Sequence, residues 1–164
     1  METSNIYSKY CNDMQNPALG AYILSTFVKS YNDKSQKKAN IFILFLIMPM
    51  IMRESIRKLI VTNSYRKPHK ILAGLIKALC AGADDDKVFG ILHDNIINYR
   101  EYTMTSFIFA LRLGILKINS DAELEVPVEL HSNPSVFVCA ANVLGKMFAT
   151  GDLSNFISYT GIQV

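Results

Sequence analysis

The side chains able to transfer protons, act as nucleophiles or hold a metal are scattered along these 164 residues. His69, His93 and His131 stand in three separate stretches, and each reads as a solvated or hydrogen-bonded imidazole, since a general base needs its partner within hydrogen-bond reach. Cys11, Cys80 and Cys139 are an odd number at wide spacing with no C-x-x-C pair, which leaves neither a zinc-binding pattern nor a disulfide framework. Cys80 and Cys139 read as small core residues, Cys11 lies in a polar leader, and a reducing, cytoplasmic location is expected. The acidic run Asp84-Asp85-Asp86 is a poor cation site, because consecutive residues on a helix point in different directions; it suits the positive pole of a following helix. No Gly-rich phosphate loop ending in Gly-Lys-Ser or Gly-Lys-Thr, no G-x-G-x-x-G, no H-E-x-x-H and no G-x-S-x-G occurs. The expectation is a protein with no catalytic residue, metal or cofactor.

Charge is the other chemical feature. The net +3 conceals a split: residues 1–80 carry 12 Lys and Arg against 4 Asp and Glu, residues 81–164 carry 5 against 10, so the halves stand at +8 and −5. Fields of opposite sign suit different neighbours, and the basic side chains Arg53, Arg57, Lys58, Arg66, Lys67 and Lys70 are the candidates for contact with an acidic partner or a DNA backbone. Solvated helix faces are the plainer account of the same charges.

The elements that must position these groups follow from periodicity. Half the residues are apolar and 19% charged, a globular mix for which one core over residues 1–164 is the default. Asn16 and Pro17 suit the N-cap and first position of a helix whose Leu19, Tyr22, Ile23, Phe27 and Tyr31 form an apolar stripe. The run from Ala39 to Met52 has 14 residues, short of the roughly 20 that cross a membrane, so a buried helix kinked or broken by Pro49 is expected there. Helical spacing resumes through Glu54, Ile56, Leu59 and Ile60, and a further short helix is expected from His69 to Gly82. Met1–Tyr10 lacks the basic and apolar parts of a signal peptide.

Two helices are then expected, one carrying Val88, Phe89, Leu92 and Ile96, the other Met104, Phe107, Ile108 and Leu111, with a break at Arg100–Thr103. Beyond Gly114 the period changes to that of a hairpin, Ile115–Ile118 and Ala122–Val126 around the turn Asn119–Asp121. Helix, helix and two-stranded wing is the order of a winged helix. The fold expected is therefore mainly α with a small β-hairpin, a winged-helix-like part over residues 68–130 packed against N-terminal helices in 1–67 and C-terminal helices in 131–164. Ser132-Asn133-Pro134 is the expected cap of the helix Ser135–Ala149, and a last short helix carries Leu153 and Phe156. The helix in the DNA-reading position offers only Thr103, Thr105, Ser106 and Arg112, and the wing carries Asp121, Glu123 and Glu125, so the element reads as structural or protein-binding. A free winged-helix transcriptional regulator using Thr103–Arg112 in the major groove is the alternative.

Asn16-Pro17-Ala18-Leu19-Gly20-Ala21-Tyr22, Phe27-Val28-Lys29 with Tyr31, Leu44–Met50 with Arg53-Glu54, Ala141–Ala149 and Thr160-Gly161-Ile162 together resemble the middle-component family of bacterial three-component systems. Those systems are built around an SMC-like or Rad50-like ATPase and include the Lamassu type of anti-phage and anti-plasmid defence. The resemblance implies a small non-catalytic subunit that binds the ATPase and couples it to an effector, often a nuclease, with no membrane part and with DNA reached through the complex. In that picture Phe27, Tyr31, Met48, Met50 and Met52 give apolar contact to the partner where they are exposed.

Overall fold

The computed structural model describes residues 16–35, 37–62, 64, 85–131 and 135–152, of which 85–95 and 151–152 are described by backbone only. Helix α1 (Pro17–Asn32) begins where sequence chemistry places it: Asn16 Oδ1 accepts from the Ala18 amide at 2.8 Å, and Pro17 occupies the first turn, where no N–H is needed. The centre of its stripe is interior, with Ile23, Leu24, Phe27 and Val28 inaccessible to solvent, while Leu19, Tyr22 and Tyr31 are half-buried. Phe27 meets Tyr31 at 6.1 Å and the edge of Phe148 at 6.3 Å between ring centroids.

The apolar run forms α2 (Phe42–Met52), followed directly by α3 (Glu54–Thr62). Pro49 sits inside α2 without ending it; the break comes at Arg53, whose ψ of 114° is extended. The carbonyls left over at that break are taken by Arg57, which donates from Nη1 to Ile51 O at 2.8 Å and to Met52 O at 3.0 Å.

Where two helices were expected, one uninterrupted helix, α4 (Asp85–Arg112), runs for 28 residues. The stretch Arg100–Thr103 holds no glycine or proline to stop it. Arg100 and Glu101 face solvent, Tyr102 and Thr103 face inward, Tyr102 donates to Asn16 O at 3.0 Å, and Thr103 Oγ1 donates back to Tyr99 O at 2.8 Å. The helix-turn-helix of a winged helix is therefore not formed in this stretch; the polarity that suggested a turn is the solvent side of one helix. Gly114 ends α4 with φ 69°, and the amides of Gly114 and Ile115 return to Leu111 O and Ala110 O at 3.0 and 3.1 Å.

The hairpin forms as expected, from β1 (Lys117–Ile118) and β2 (Leu124–Glu125), antiparallel with Lys117 opposite Glu125. Asn119 organises its turn by accepting on Oδ1 from the amides of Asp121 and Glu123 at 3.0 and 2.9 Å. On its other edge β2 meets the chain before α2, where the Leu124 amide bonds Ala39 O at 2.8 Å and Lys38 pairs with Glu125. Asn32, the last residue of α1, fastens both strips, donating to Leu124 O and accepting from the Ala39 amide, each at 2.8 Å.

Helix α5 (Val136–Met147) is capped by Ser135, whose Oγ accepts from the Phe137 amide at 3.3 Å, and gives way to a π-helical turn, Phe148–Asp152, where the helix was expected to run on to Ala149. Helix α1 lies between α4 and α5 and packs most extensively against both. The crossings are close because glycines stand at them. A Cβ on Gly145 would lie 2.6 Å from Phe27 O and 3.0 Å from Tyr31 N, and one on Gly20 would meet Ser106 Oγ, with Tyr102 Oη at 2.9 Å. One apolar cluster joins α1, α2, α3, α4, the hairpin, α5 and Phe148. The cap of α5 is Ser135 and not the Ser132-Asn133-Pro134 stretch expected before it, because it is the Ser135 hydroxyl that reaches the Phe137 amide. The expected helix from His69 to Gly82 and the last helix fall outside the described residues.

Candidate partner interface

The apolar residues expected to face a partner lie inside the chain's own core. Phe27 and Met48 have no exposed surface, Met50 and Met52 are buried, and Tyr31 is half-buried against Phe27. The reason is the course of the chain: α2 is apolar all round, and α1, α4 and α5 enclose it. Phe27, Met48, Met50 and Met52 supply packing in the isolated chain, and of the five only Tyr31 keeps some surface.

The basic candidates divide. Arg57 is 7% exposed, bonded to the end of α2, with its guanidinium carbon 4.1 Å from the centre of the Phe137 ring on α5; it joins three helices and is not a free contact for a phosphate. Arg53 and Lys58 are exposed, and Lys58 pairs with Glu54 at 2.6 Å, one helical turn away, which lowers the Glu54 carboxyl below its ordinary value. Arg66, Lys67 and Lys70 lie outside the described residues, as do His69, Cys11 and Cys80. Among the described residues, no group of three His, Cys, Asp or Glu could hold a metal ion, and no helix is long and apolar enough to cross a membrane.

What the structure does bring together is a groove of about 390 Å³ between α1 and α5. From the α1 side come Tyr22, Thr26, Lys29 and Ser30, with Asp33 and Lys34 just past its end; from α5 come Val138, Cys139, Asn142 and Lys146; Leu130 and His131 close one margin. Tyr22 ties that margin down by donating to His131 O. Deeper in, Ser30 Oγ donates to Asn142 Oδ1 at 2.7 Å, and the Thr26 hydroxyl is buried without a partner. Lys29 and Asp33 pair at 3.3 Å on the rim, both well exposed.

Reading for apolar periodicity placed Tyr22 in the stripe of α1 and Cys139 in the core, where the structure instead leaves Cys139 exposed, and it gave the other groove residues, His131 aside, no place. The signal that finds them is polar: residues 22, 26, 29, 30 and 33 recur at three or four along α1, as do 139, 142 and 146 along α5, so each helix carries a polar stripe beside its apolar one.

Residues 4–164 match the family model described as ABC-three component (ABC-3C) system Middle Component 3. No curated protein and no solved structure matches the chain.

Proposed function

The chain belongs to the Middle Component 3 family of ABC-three component systems, an accessory component of a three-component ATPase defence system, and on that premise we propose that it is the non-catalytic subunit that binds an SMC-like or Rad50-like ATPase and couples it to an effector, a nuclease by its class. The observation that carries this reading is the family match over residues 4–164, nearly the whole chain. The distribution of charge supports it. Arg53 at the break before α3 and Lys58 on α3, with Arg66, Lys67 and Lys70 in the following stretch, form a basic segment for an acidic partner surface or for DNA backbone held by the complex, while the half from residue 81 onward is acidic. Each half then meets a different neighbour, as a component placed between two others requires.

The test is co-expression with the ATPase and effector encoded beside it, with a tag on this chain alone. Both partners are expected in the eluate, together with loss of anti-phage protection when this chain is deleted. A chain that elutes alone, with protection unchanged on its deletion, overturns the reading.

A further inference from the structure

We propose that the groove between α1 and α5 is a docking site for an acidic peptide segment of a partner subunit, held in extended form with its carboxylates against Lys34 and Lys146.

Three observations carry this. The first is charge: among the described residues, three ammonium groups, those of Lys29, Lys34 and Lys146, line the groove against one carboxylate, that of Asp33, which Lys29 already holds at 3.3 Å. Among the described residues, Lys34 and Lys146 have no carboxylate partner. The second is donor chemistry. Asn142 uses its Oδ1 to accept from Ser30, which turns its two amide N–H donors to other use, and the Thr26 hydroxyl is buried with nothing to bond. A buried hydroxyl without a partner is destabilising, and a ligand carboxylate or peptide carbonyl in the groove relieves it. The third is the margin: Val128 and Glu129 are exposed and lie outside any helix or strand, so the strip leading to the groove is open to an extended chain.

The same lining selects a peptide over a nucleic acid. Leu130, Val138 and Cys139 give the groove an apolar portion for side chains, whereas its described charges are three lysines and one carboxylate on a short groove, not the continuous basic track that a nucleic-acid strand uses.

This deepens the assembly reading by naming the surface through which a partner is held, and it is tested on the isolated full-length chain so that the two fail separately. The ¹⁵N-labelled chain is titrated with a capped hexapeptide alternating Glu and Ala, with a Lys and Ala counterpart and with oligothymidylate as comparisons. The Glu peptide is expected to move amide signals of Tyr22–Lys34 and Val138–Lys146, to weaken as salt shortens the screening length from about 10 Å at 0.1 M to about 3 Å at 1 M, and to slow maleimide modification of Cys139. The variant K34E/K146E, whose substitutions are both on exposed positions and leave the fold intact, is expected to bind about tenfold more weakly or worse. Absence of shifts with the Glu peptide, equal shifts with the Lys peptide, or tighter binding of oligothymidylate through the same amides each overturns the proposal. Co-purification of partners by K34E/K146E at the wild-type level overturns the groove while leaving assembly standing.

Discussion

Arg57 was a candidate for contact outside the chain, and its replacement separates a structural guanidinium from a binding one. Its Nη1 donates to Ile51 O at 2.8 Å and Met52 O at 3.0 Å, and its plane covers Phe137 at 4.1 Å. Hydrogen bonds with a charged partner contribute about 1.5–3 kcal/mol, and a guanidinium over an aromatic face about 0.5–2 kcal/mol. Water can enter the space left by Arg57→Ala and hydrate the two carbonyls, so the net loss is expected below the sum, at about 3–4 kcal/mol. With a urea slope of about 2 kcal/mol per molar for a chain of this size, the unfolding midpoint falls by about 1.5–2 M. Arg57→Lys keeps the charge but not the planar fork, and is expected to lose about half as much. Arg53→Ala, exposed, should stay within about 0.5 kcal/mol of wild type. The assay is urea denaturation followed by far-ultraviolet circular dichroism. An Arg57→Ala variant as stable as Arg53→Ala, yet defective in binding its partners, would refute the reasoning, because the guanidinium would then have been facing outward.

The helix crossings make a second prediction: Gly145→Ala places a methyl group 2.6 Å from Phe27 O and 3.0 Å from Tyr31 N, backbone atoms that cannot step aside, and should cost about 2 kcal/mol by thermal denaturation despite the better helix propensity of alanine. Asn32→Ala removes the bonds to Leu124 O and the Ala39 amide, and hydrogen exchange should speed up at Leu124 and Ile41 before it does in α1. Burial raises the Tyr102 phenol from 10 to about 12. Between those values the unfolded chain has released a proton that the folded chain retains, so stability falls as pH rises from about 10 to about 12, by on the order of 2 kcal/mol in all. Tyr102→Phe should flatten that part of the alkaline denaturation profile, and an unchanged profile would place the phenol in water.

Local chemistry was legible in the sequence wherever one residue type decides the outcome. Asn16-Pro17 fixes the start of α1, Gly114 the end of α4, and Asn119 the turn of the hairpin, because each satisfies specific backbone groups at a specific position. What periodicity could not supply was the identity of the neighbour. Arg100-Glu101 reads as a break when helices are sought singly; it is the wet side of a helix whose dry side buries Tyr102, Thr103 and Ser106, with Tyr102 and Ser106 against α1. Arg57 reads as a surface base until α5 brings Phe137 over it. The groove was invisible for the same reason, since its two polar stripes lie more than a hundred residues apart and become a site only where Gly145 lets α5 approach α1.

That placement of apolar and charged groups also determines how assembly should respond to solution conditions. An interface built on Phe27, Met48, Met50 and Met52 would strengthen in sulfate and hardly notice moderate sodium chloride, as burial of apolar surface does. Those side chains are interior, whereas the groove presents Lys29, Lys34 and Lys146 at exposed positions, where Coulomb attraction is screened within a Debye length. Binding through the groove must therefore weaken steadily with sodium chloride, and most of that effect should lie in the association rate, because rim charges act on encounter more than on residence. A complex whose affinity is flat in salt while K34E/K146E still abolishes it would mean the lysines are buried against the partner rather than steering it, with the loss then falling on the dissociation rate.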